Sequence, residues 1–368
     1  MALAFPVSSH PSPASEPLIA ERLADPGFGR FFTDHMAVAT WRKGFGWGED
    51  GLVPYGPFAM DPAGAVLHYA QEIFEGLKAY RHEDGSVWLF RPEMNARRLA
   101  RSAERLGLPV LPEEDFLASV RGLVAADERW VPAGGGEMSL YLRPFMFANE
   151  SFLGVRAAET VQYAVIASPV GPYFHGGVKP VDIWVTTTYS RAGSGGTGAA
   201  KCGGNYASSL VAQKEAYEHG CSQVLFTDAQ THSWLEELGG MNIFLVTSDG
   251  RLVTPPTSGT ILDGITRDSI LTLAPELGLT PEVRPVALAE LVDGIAGGTV
   301  VEAFACGTAA VVTPIGRFLG DGIDVATGTL RQAQGTDEGS ATMAIRNRLL
   351  DIQYGRGDDP YGWRERVC

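Results

Sequence analysis

Two stretches of apolar residues, each broken by Asp-Gly, predict β-hairpins. The first extends from Ala79 to Phe90 around Asp84-Gly85, and the second from Met241 to Val253 around Asp249-Gly250. Asp-Gly between apolar runs is a strong signal for a tight turn between antiparallel strands. The pattern therefore predicts antiparallel pairing, and it lacks the strict alternation of strands and helices that builds a doubly wound sheet.

Helices are predicted where a proline, an asparagine or a turn precedes a segment of helical length. One extends from Pro92 to Leu106 and ends at Gly107, and another begins with Asn205 as its cap and runs through Glu218 to Gly220. A third, from Ser269 to Leu273, follows a turn at residues 262–268. Strands and helices together predict a mixed α/β (α+β) fold class.

A stretch rich in proline and glycine, residues 168–177, separates the strand-like segments Val161–Ala167 and Val181–Thr188. Such a composition is typical of a connection between structural units, and a chain of 368 residues is long enough for two domains. We therefore predict a flexible N-terminal tail, a small N-terminal α/β domain, an interdomain loop and a large C-terminal α/β domain, over residues 1–16, 17–171, 172–180 and 181–368. Because domain junctions are common ligand sites, a ligand is expected near this boundary.

The composition is that of a globular protein, with 45% hydrophobic and 20% charged residues. A net charge of −14 argues against nucleic acid and anionic membranes as partners and leaves small molecules. No segment is apolar over the length of a membrane span. The 4 cysteines show no paired spacing and the 7 histidines no metal-ligand spacing. The sequence thus predicts a cytoplasmic protein without a bound metal ion.

Lys201 follows a glycine-rich segment and has small residues on both sides. A planar ligand could lie against such a backbone, which suits a lysine that forms a Schiff base with an aldehyde cofactor. The alternative is a solvated loop lysine. A dinucleotide-binding interpretation of Gly193, Gly195 and Gly198 is weak, because residues 201–204 interrupt the helix that it requires. A phosphate-binding P-loop is excluded, since no Gly-Lys-Ser/Thr follows the glycines.

Two acidic residues, Glu236 and Glu237, precede a Gly-Gly turn and an apolar strand. In an extended segment they point to opposite sides, so we expect one to face inward and the other to stay in water. A buried carboxylate requires a partner, and a protonated pyridine nitrogen is one. The alternative is a pair of surface acids. The turn at residues 262–268 leads into a helix, where free backbone amides attract a phosphate.

These segments resemble those of the branched-chain amino-acid aminotransferases, pyridoxal-phosphate enzymes of fold type IV with two domains. The signature of the class corresponds to Glu237-x-Gly239-x-x-Asn242-Ile243-Phe244, Leu252-x-Thr254 and Leu262-x-Gly264-Ile265-x-Arg267. This signature alone also admits D-amino-acid aminotransferases and aminodeoxychorismate lyases. The branched-chain group is favoured by further blocks: Phe74-Glu75-Gly76-Leu77-Lys78-Ala79-Tyr80, Tyr141-Leu142-Arg143-Pro144-Phe145, Gly171-Pro172-Tyr173-Phe174, Lys201-x-Gly203-Gly204-Asn205-Tyr206 and Gly307-Thr308-Ala309.

The resemblance implies a cofactor, pyridoxal 5′-phosphate, and the residues that hold it. Lys201 would form the Schiff base and then act as the catalytic base, and Glu237 would pair with the pyridine nitrogen. Tyr206 would donate to the phenolic oxygen of the cofactor. The phosphate would meet Arg98, for which Arg97 is the neighbouring alternative, and the amides of Ile265 and Thr266. Thr308 would also contact the cofactor.

The resemblance also implies the substrates: L-leucine, L-isoleucine or L-valine as amino donor and 2-oxoglutarate as acceptor, in a ping-pong reaction. An apolar wall would hold the branched side chain and comprise Phe28, Tyr69, Phe74, Tyr141 and Tyr173. Arg143 would bind the distal carboxylate of glutamate or 2-oxoglutarate, which an apolar wall alone could not hold. The α-carboxylate would meet the amides of Thr308 and Ala309. Val155 would reach into the pocket of a second subunit, which implies a homodimer.

Two departures from the family pattern bear on regulation and on substrate preference. Some members carry a redox-active CxxC pair where this chain has Ala310 and Thr313, and some have threonine where this chain has Gly240. The rival interpretations are a fold type IV lyase or D-amino-acid aminotransferase, a non-catalytic pyridoxal-phosphate protein and a dinucleotide-dependent dehydrogenase. Arg143 with the aromatic wall disfavours the lyase and the D-amino-acid aminotransferase. A non-catalytic protein is disfavoured by the complete set of Lys201, Glu237, Tyr206 and Arg98.

Overall fold

The computed structural model of the chain describes residues 2–133, 136–172, 178–328 and 340–368. Tyr173, which was predicted to bind substrate, lies outside the described residues, as do residues 174–177 of the predicted interdomain loop. The chain divides into two compact units. Unit 1 comprises Met1–Tyr173, Ala200–Gly203 and Asp351–Cys368, and unit 2 comprises Phe174–Ala199 and Gly204–Leu350.

This division differs from the sequence-based one at two places in the second half of the chain. Residues 351–368 belong to unit 1, because the strand Arg364–Arg366 pairs antiparallel with the strand Val87–Phe90. The short segment Ala200–Gly203 also belongs to unit 1. Pairing between segments distant in the chain decides both assignments, and composition carries no signal for it.

Unit 1 consists of four helices, a 3-10 turn and eight strands within the described residues. They are α1 Glu16–Ala24, β1 His35–Arg42, β2 Gly46–Pro54, α2 Ala65–Tyr69, β3 Glu72–Phe74, β4 Leu77–Arg81, β5 Val87–Phe90, α3 Pro92–Leu106, α4 Glu113–Ala126, the 3-10 turn Glu128–Trp130, β6 Ser139–Ala148, β7 Thr160–Val170 and β17 Arg364–Arg366. The strands form one antiparallel sheet in the order β17-β5-β4-β6-β7-β1-β2, with β3 also paired to β6.

The predicted hairpin around Asp84-Gly85 is confirmed, since β4 pairs antiparallel with β5 and Gly85 has a positive φ of 86°. The predicted helix Pro92–Leu106 is confirmed as α3, and Gly107 ends it in the left-handed conformation that glycine adopts without strain. Leu99 of α3 packs into the core of unit 1 with the fully buried Phe116 and Trp130. Burial of this helix face fixes the direction of the polar residues beside it.

Unit 2 contains the remaining elements of the described residues. They are β8 Val181–Thr186, α5 Gly203–Ala207, α6 Leu210–Glu218, β9 Gln223–Thr227, β10 Leu235–Leu238, β11 Asn242–Thr247, β12 Arg251–Thr254, α7 Ile265–Leu273, the 3-10 turn Ala274–Leu277, β13 Thr280–Val283, α8 Leu288–Ala296, β14 Val300–Gly307, β15 Val311–Gly320, β16 Ile323–Ala326 and α9 Ala341–Gln353, of which α5 begins and α9 ends in unit 1.

The sheet of unit 2 mixes parallel and antiparallel pairs in the order β10-β9-β8-β15-β14-β11-β12-β13, with β16 beside β15. The predicted hairpin around Asp249-Gly250 is confirmed by the antiparallel pair β11 and β12. Strand β8 pairs parallel with both β9 and β15, and β12 pairs parallel with β13. The mixed α/β class predicted from the sequence is confirmed.

The prediction of one helix from Asn205 to Glu218 is wrong. The segment forms two helices, α5 and α6, and Asn205 lies inside α5 and not at a cap. Two serine hydroxyls explain the break: Ser208 Oγ donates to the carbonyl of Arg191, and Ser209 Oγ donates to that of Tyr206. Such side chain to backbone bonds compete with helical geometry.

The expectation of a flexible tail does not hold for the first described residues. Leu3 and Phe5 are buried in the core of unit 1, and their amides donate to Asp115 Oδ1 at 2.9 Å and Asp50 Oδ2 at 2.7 Å. Val7 then bridges to Leu52 of β2. The prolines at positions 6, 11 and 13 suggested a tail, but the two buried apolar side chains that precede them anchor the segment.

None of the helices in the described ranges combines the length and the apolar composition required to cross a membrane.

Replacing Phe5 by alanine tests this anchoring. Phe5 is 4% exposed, so Phe5→Ala is expected to lower the free energy of unfolding by about 3 kcal/mol. Val7→Ala is the control, because Val7 is 63% exposed. Urea denaturation of both variants provides the measurement. Equal midpoints for Phe5→Ala and Val7→Ala would show that the segment does not contribute to the fold.

Candidate active site

Lys201 is held in unit 1 by its own main chain. Its amide donates to Ser102 Oγ at 2.9 Å, and its carbonyl accepts from the amide of Phe74 at 2.9 Å. The Nζ atom lies 4.9 Å from the centroid of the Phe74 ring. A helix and a strand thus fix the main chain of the lysine, and the amine lies over an aromatic face.

A buried carboxylate, Glu75, lies beside this lysine and was not predicted from the sequence. Arg98 binds it through two parallel bonds, Nε to Oε1 at 2.7 Å and Nη2 to Oε2 at 2.8 Å. Asn95 Nδ2 donates to Oε2 at 2.7 Å. Glu75 is fully buried and Arg98 nearly so. A bidentate pair with a further donor is the arrangement that makes a buried charge tolerable.

Opposing effects act on the pKa of Glu75. Burial raises the pKa of the carboxyl, but the charges of Arg98 and Lys201 and the bonds from Arg98 and Asn95 outweigh it. The pKa is lowered from its ordinary value. Glu75 is therefore a carboxylate, and its negative charge faces two cations.

The spacing along α3 explains this assembly. Asn95, Arg98 and Ser102 are three and four residues apart, so they lie on one face of the helix and point to the same region. Arg97 lies on a different face, where it pairs with Glu113 at the surface. Of the two arginines that the sequence left as alternatives, the structure places Arg98 beside Lys201 and Glu75.

Four predicted substrate residues come together in unit 1. Tyr141 and Arg143 are two residues apart in β6, so they lie on the same face of the strand. Arg143 Nη2 donates to the Tyr141 hydroxyl at 3.2 Å. The Arg143 guanidinium lies 4.8 Å from the Phe74 ring centroid, and the rings of Phe28 and Tyr141 are 5.1 Å apart. In such an arrangement the aromatic rings can contact an apolar group, and the guanidinium can bind a carboxylate.

Close packing constrains this wall. A Cβ on Gly76 would overlap the Tyr141 hydroxyl, so any larger residue at this position would displace the tyrosine ring. Glu72 accepts from the amide of Gly203. Burial raises the pKa of Glu72, and the Gly203 amide and the Arg143 charge only partly offset this.

Two further predicted substrate residues of unit 1 are exposed. Val155 is 83% exposed, and Tyr69 is half-exposed with its hydroxyl donating to the carbonyl of Leu153. Neither residue takes part in the contacts described above among Phe28, Phe74, Tyr141 and Arg143.

In unit 2, Glu237 is the centre of a second buried cluster. Arg191 pairs with Glu237 Oε1 at 2.8 Å, and the amide of Leu262 donates to the same oxygen at 2.8 Å. Asn242 Nδ2 lies 3.3 Å from Oε2 and 3.0 Å from the carbonyl of Leu262. The cluster holds the Glu237 carboxylate in one orientation.

The expectation that one of the two acids stays in water is wrong. Glu236 and Glu237 are both buried, since β10 is covered along its whole length. Burial raises the pKa of Glu236, against the opposing effects of the Thr260 hydroxyl and the Arg191 charge. Glu236 Oε2 has no hydrogen-bond partner among the described residues.

The predicted phosphate-binding helix is α7, which begins at Ile265, earlier than the predicted Ser269. Its N-cap, Gly264, has no side chain to satisfy the first amides, and Ile265 and Thr266 are buried. Arg267 donates from Nη2 to the carbonyl of Pro255 at 2.9 Å, and burial lowers its pKa. A buried helix start beside a buried arginine can bind an anion.

The remaining predicted residues of unit 2 lie in two short segments. Tyr206 is half-buried in α5, and its Cε1 would be 3.6 Å from a Cβ on Gly240. Thr308 and Ala309 are half-buried in the turn between β14 and β15. The departure at Gly240 thus lies beside the predicted cofactor tyrosine.

Sequence reasoning missed Glu75, Asn95 and Arg191. Asn95 and Arg98 share a helix face with buried apolar residues. Polar residues on an otherwise apolar face could have indicated a buried polar cluster from the sequence alone. Glu75 lay inside a family motif without an assigned role, and Arg191 precedes the glycine-rich segment before Lys201. Their partners are distant in the chain, so no local pattern reveals the pairing.

Comparison with known proteins gives consistent results. The profile of the family described as amino-transferase class IV matches residues 72–318. The chain is 53% identical to a probable branched-chain-amino-acid aminotransferase of Streptomyces coelicolor, over 98% of this chain and 97% of that one. It is 50% identical to the branched-chain-amino-acid aminotransferase of Mycolicibacterium smegmatis, over 99% and 98%. The solved structure of a T.th. branched-chain amino acid aminotransferase with pyridoxamine 5′-phosphate is similar, with a TM-score of 0.73 and 26% identity over 90% and 99%.

Replacing Glu75 by glutamine tests the buried pair. Glu75→Gln leaves the Arg98 charge buried without its counter-ion, so a loss of about 3 kcal/mol in unfolding free energy is expected at pH 7. The pKa of Glu75 is lower in the folded protein than the ordinary value of 4.5. The stability that its charge contributes is therefore present above pH 4.5 and is lost as the pH falls through the pKa of the folded state. The difference in unfolding free energy between the wild type and Glu75→Gln should therefore become smaller below pH 4.5.

Urea midpoints at neutral and acidic pH provide the measurement. Glu113→Gln is the matched control, since it removes the surface partner of Arg97, and its midpoint should equal that of the wild type. A difference in urea midpoint between the wild type and Glu75→Gln that does not change with pH would contradict a stabilising role for the Glu75–Arg98 ion pair.

Proposed function

The chain belongs to the amino-transferase class IV family, and within it to the branched-chain-amino-acid aminotransferases, and on that premise we propose how its residues share the transfer of an amino group. The enzyme moves the amino group of L-leucine, L-isoleucine or L-valine to 2-oxoglutarate and uses pyridoxal 5′-phosphate. The predictions of fold type IV, of the reaction and of the cofactor are confirmed.

The residues present fit this cofactor. Arg191 Nε and Arg267 Nε are buried without a hydrogen-bond partner among the described residues, and α7 starts without a capping side chain. Such donors suit an anionic ligand with a polar ring. When bound, pyridoxal phosphate supplies an aldehyde for an amine and a ring that accepts electrons from the substrate.

Lys201 is the catalytic residue of the proposal. Its amine would hold the cofactor through the aldehyde, and the same amine would serve as the base for the proton on the α-carbon of the amino acid. The observation that carries this role is its position over Phe74 beside the buried Glu75–Arg98 pair. Ser102 holds the main chain of Lys201, so that only the flexible stem moves during proton transfer.

Glu237 binds the protonated ring nitrogen. Its bonds from Arg191 and the Leu262 amide fix the carboxylate, so little reorganisation accompanies the reaction. Tyr206 donates to the phenolic oxygen of the cofactor.

The phosphate is bound by Arg98, by the amides of Ile265 and Thr266 and by the Thr308 hydroxyl. Glu75 orients the guanidinium of Arg98 and balances its charge when no phosphate is present.

The substrate side uses one wall for two kinds of side chain. Phe28, Phe74 and Tyr141 provide apolar contact for a branched chain. Arg143, whose Nε has no hydrogen-bond partner among the described residues, supplies the cation for the distal carboxylate of 2-oxoglutarate. The α-carboxylate, common to both substrates, binds the amides of Thr308 and Ala309, and Tyr69 and Tyr173 complete the proposed set.

The proposed assembly is a homodimer. Leu67, Leu153 and Val155 are exposed apolar residues, and the bond from Tyr69 to Leu153 joins their two segments into one surface. An apolar surface of this kind is typical of a protein interface, which supports the proposal that Val155 reaches the partner's pocket. All four cysteines are free thiols, which supports a reducing cytoplasm as the compartment.

The first prediction from the proposed function concerns Lys201. L-Leucine alone should convert the absorbance band of the bound cofactor, and 2-oxoglutarate should restore it. Lys201→Ala should lower turnover at least about 100-fold, because the proton-transfer group is lost. Lys214→Ala, a change of an exposed lysine on α6, is the control and should match the wild type. A wild-type protein that binds the cofactor but responds to D-alanine and not to L-leucine would contradict the proposal.

The second prediction concerns Arg143. Arg143→Met should raise the KM for 2-oxoglutarate about 10- to 100-fold, because a charged hydrogen bond is lost, while the KM for L-leucine changes little. Arg42→Met, which removes an exposed arginine paired with Glu49, is the control. Steady-state kinetics with each substrate varied in turn gives both constants. Equal rises for the two substrates would contradict a role in binding the distal carboxylate.

A further inference from the structure

The turn that carries Thr308 is held under strain. Strands β14 and β15 pair from Gly307 and Val311 onward, so the residues Thr308–Ala310 form a three-residue hairpin connection. Such connections place one residue in the left-handed region, where glycine is favoured. Here the left-handed residue is Val311, which directly follows the connection as the first residue of β15 and has a φ of 61°. A β-branched residue is strained in this region and persists there only when its surroundings enforce it.

Arg346 of α9 contacts the main chain on both sides of this valine. Its Nη1 atom donates to the carbonyl of Ala310 at 2.9 Å and to that of Val312 at 2.7 Å. Arg346 is 1% exposed, which places it among the largest fully buried side chains of the protein. A cation bound to the two carbonyls that flank Val311 restricts the rotation that would release the strain.

The helix that carries Arg346 is itself anchored to the same hairpin. Glu302 of β14 accepts from the amides of Ala341 and Thr342 at 3.0 and 2.8 Å and from the Thr342 hydroxyl at 2.6 Å. A carboxylate at a helix start is stabilised by the first amides. Arg346 follows Thr342 by one helical turn, so Glu302 fixes the point from which the arginine extends.

We propose that Arg346 is a positioning residue, which holds the Thr308–Ala310 turn in the conformation that presents the Thr308 amide to the α-carboxylate of the substrate. The proposal rests on the proposed function, in which this turn binds that carboxylate. It separates two tasks in the chain: Arg143 selects the distal group of a substrate, and Arg346 sets the binding of the group that all substrates share.

The test compares Arg346→Met and Arg346→Lys with the wild-type holoenzyme. Arg346→Met keeps much of the side-chain volume and loses both bonds, whereas the ammonium of Arg346→Lys can restore part of them. The ligand is 4-methylvalerate, which is leucine without its amino group and so reports carboxylate binding without chemistry. Its Kd is measured by calorimetry, alongside kcat and KM for L-leucine and 2-oxoglutarate.

Arg346→Met should raise the Kd of 4-methylvalerate and the KM of both substrates about 10-fold or more, with kcat changed less than about threefold. Arg346→Lys should lie between Arg346→Met and the wild type. Arg348→Met is the matched control on the same helix, where the arginine pairs with Glu276, and it should retain wild-type constants.

A second substitution keeps the test valid if Arg346→Met folds poorly. Val311→Gly places in the left-handed region a residue that adopts it without strain, so its melting temperature should rise by about 3 °C. In the double variant Val311→Gly/Arg346→Met, the turn no longer requires the clamp, and the Kd should return toward the wild-type value. A purely structural arginine would not be rescued by a change at Val311.

Thr308→Pro, which removes the amide, distinguishes the two proposals. A raised Kd in Thr308→Pro with an unchanged Kd in Arg346→Met would overturn the role of Arg346 alone. An unchanged Kd in Thr308→Pro would overturn the α-carboxylate site and the role of Arg346 with it. A raised Kd in Arg346→Met that Val311→Gly does not reduce would overturn the positioning mechanism.

Discussion

The arrangement of unit 1 depends on one buried ion pair, Glu75 with Arg98. A carboxylate without access to water requires a partner of opposite charge and further donors, and the chain supplies Arg98, Asn95 and the nearby charge of Lys201. Strand β3 leads directly into Glu75, and α3 provides Asn95 and Arg98 from one face. Because the pair fixes α3 against the segment after β3, it also fixes Ser102 and Phe74, the two residues that hold the main chain of Lys201.

Unit 2 repeats the principle with different residues. Glu237 is buried with Arg191, and a main-chain amide and an asparagine complete its bonds. Each unit therefore contains a carboxylate whose direction is set by a guanidinium before any ligand is bound. Preorganised charges of this kind lower the cost of reorganisation during a reaction. Glu236 differs from both, because burial raises its pKa and one of its oxygens has no partner among the described residues.

Strain at Val311 and close approach at Gly76 occur beside residues that we propose bind the substrate. Val311 adopts a left-handed conformation next to the turn of Thr308, and Gly76 leaves room for the Tyr141 hydroxyl. At Val311 the backbone is unfavourable and the bonds from Arg346 maintain it, whereas at Gly76 the constraint is the space that the tyrosine ring occupies. Such positions are typical of functional sites, because a relaxed backbone would turn its donors away from the ligand.

The sequence by itself determined the elements whose signals are local, and the family. Asp-Gly turns and the Pro92–Gly107 helix follow from conformational preferences that act within a few residues. The family motifs identified the fold type and predicted Lys201 and Glu237 as site residues. Only the tertiary structure decided the partners. It placed Arg98 at Glu75 and Arg97 at the surface, buried Glu236 as well as Glu237, anchored Leu3 and Phe5, and joined residues 351–368 to unit 1. The physical reason is that burial and ion pairing depend on which distant segments meet, and no preference of neighbouring residues encodes that choice.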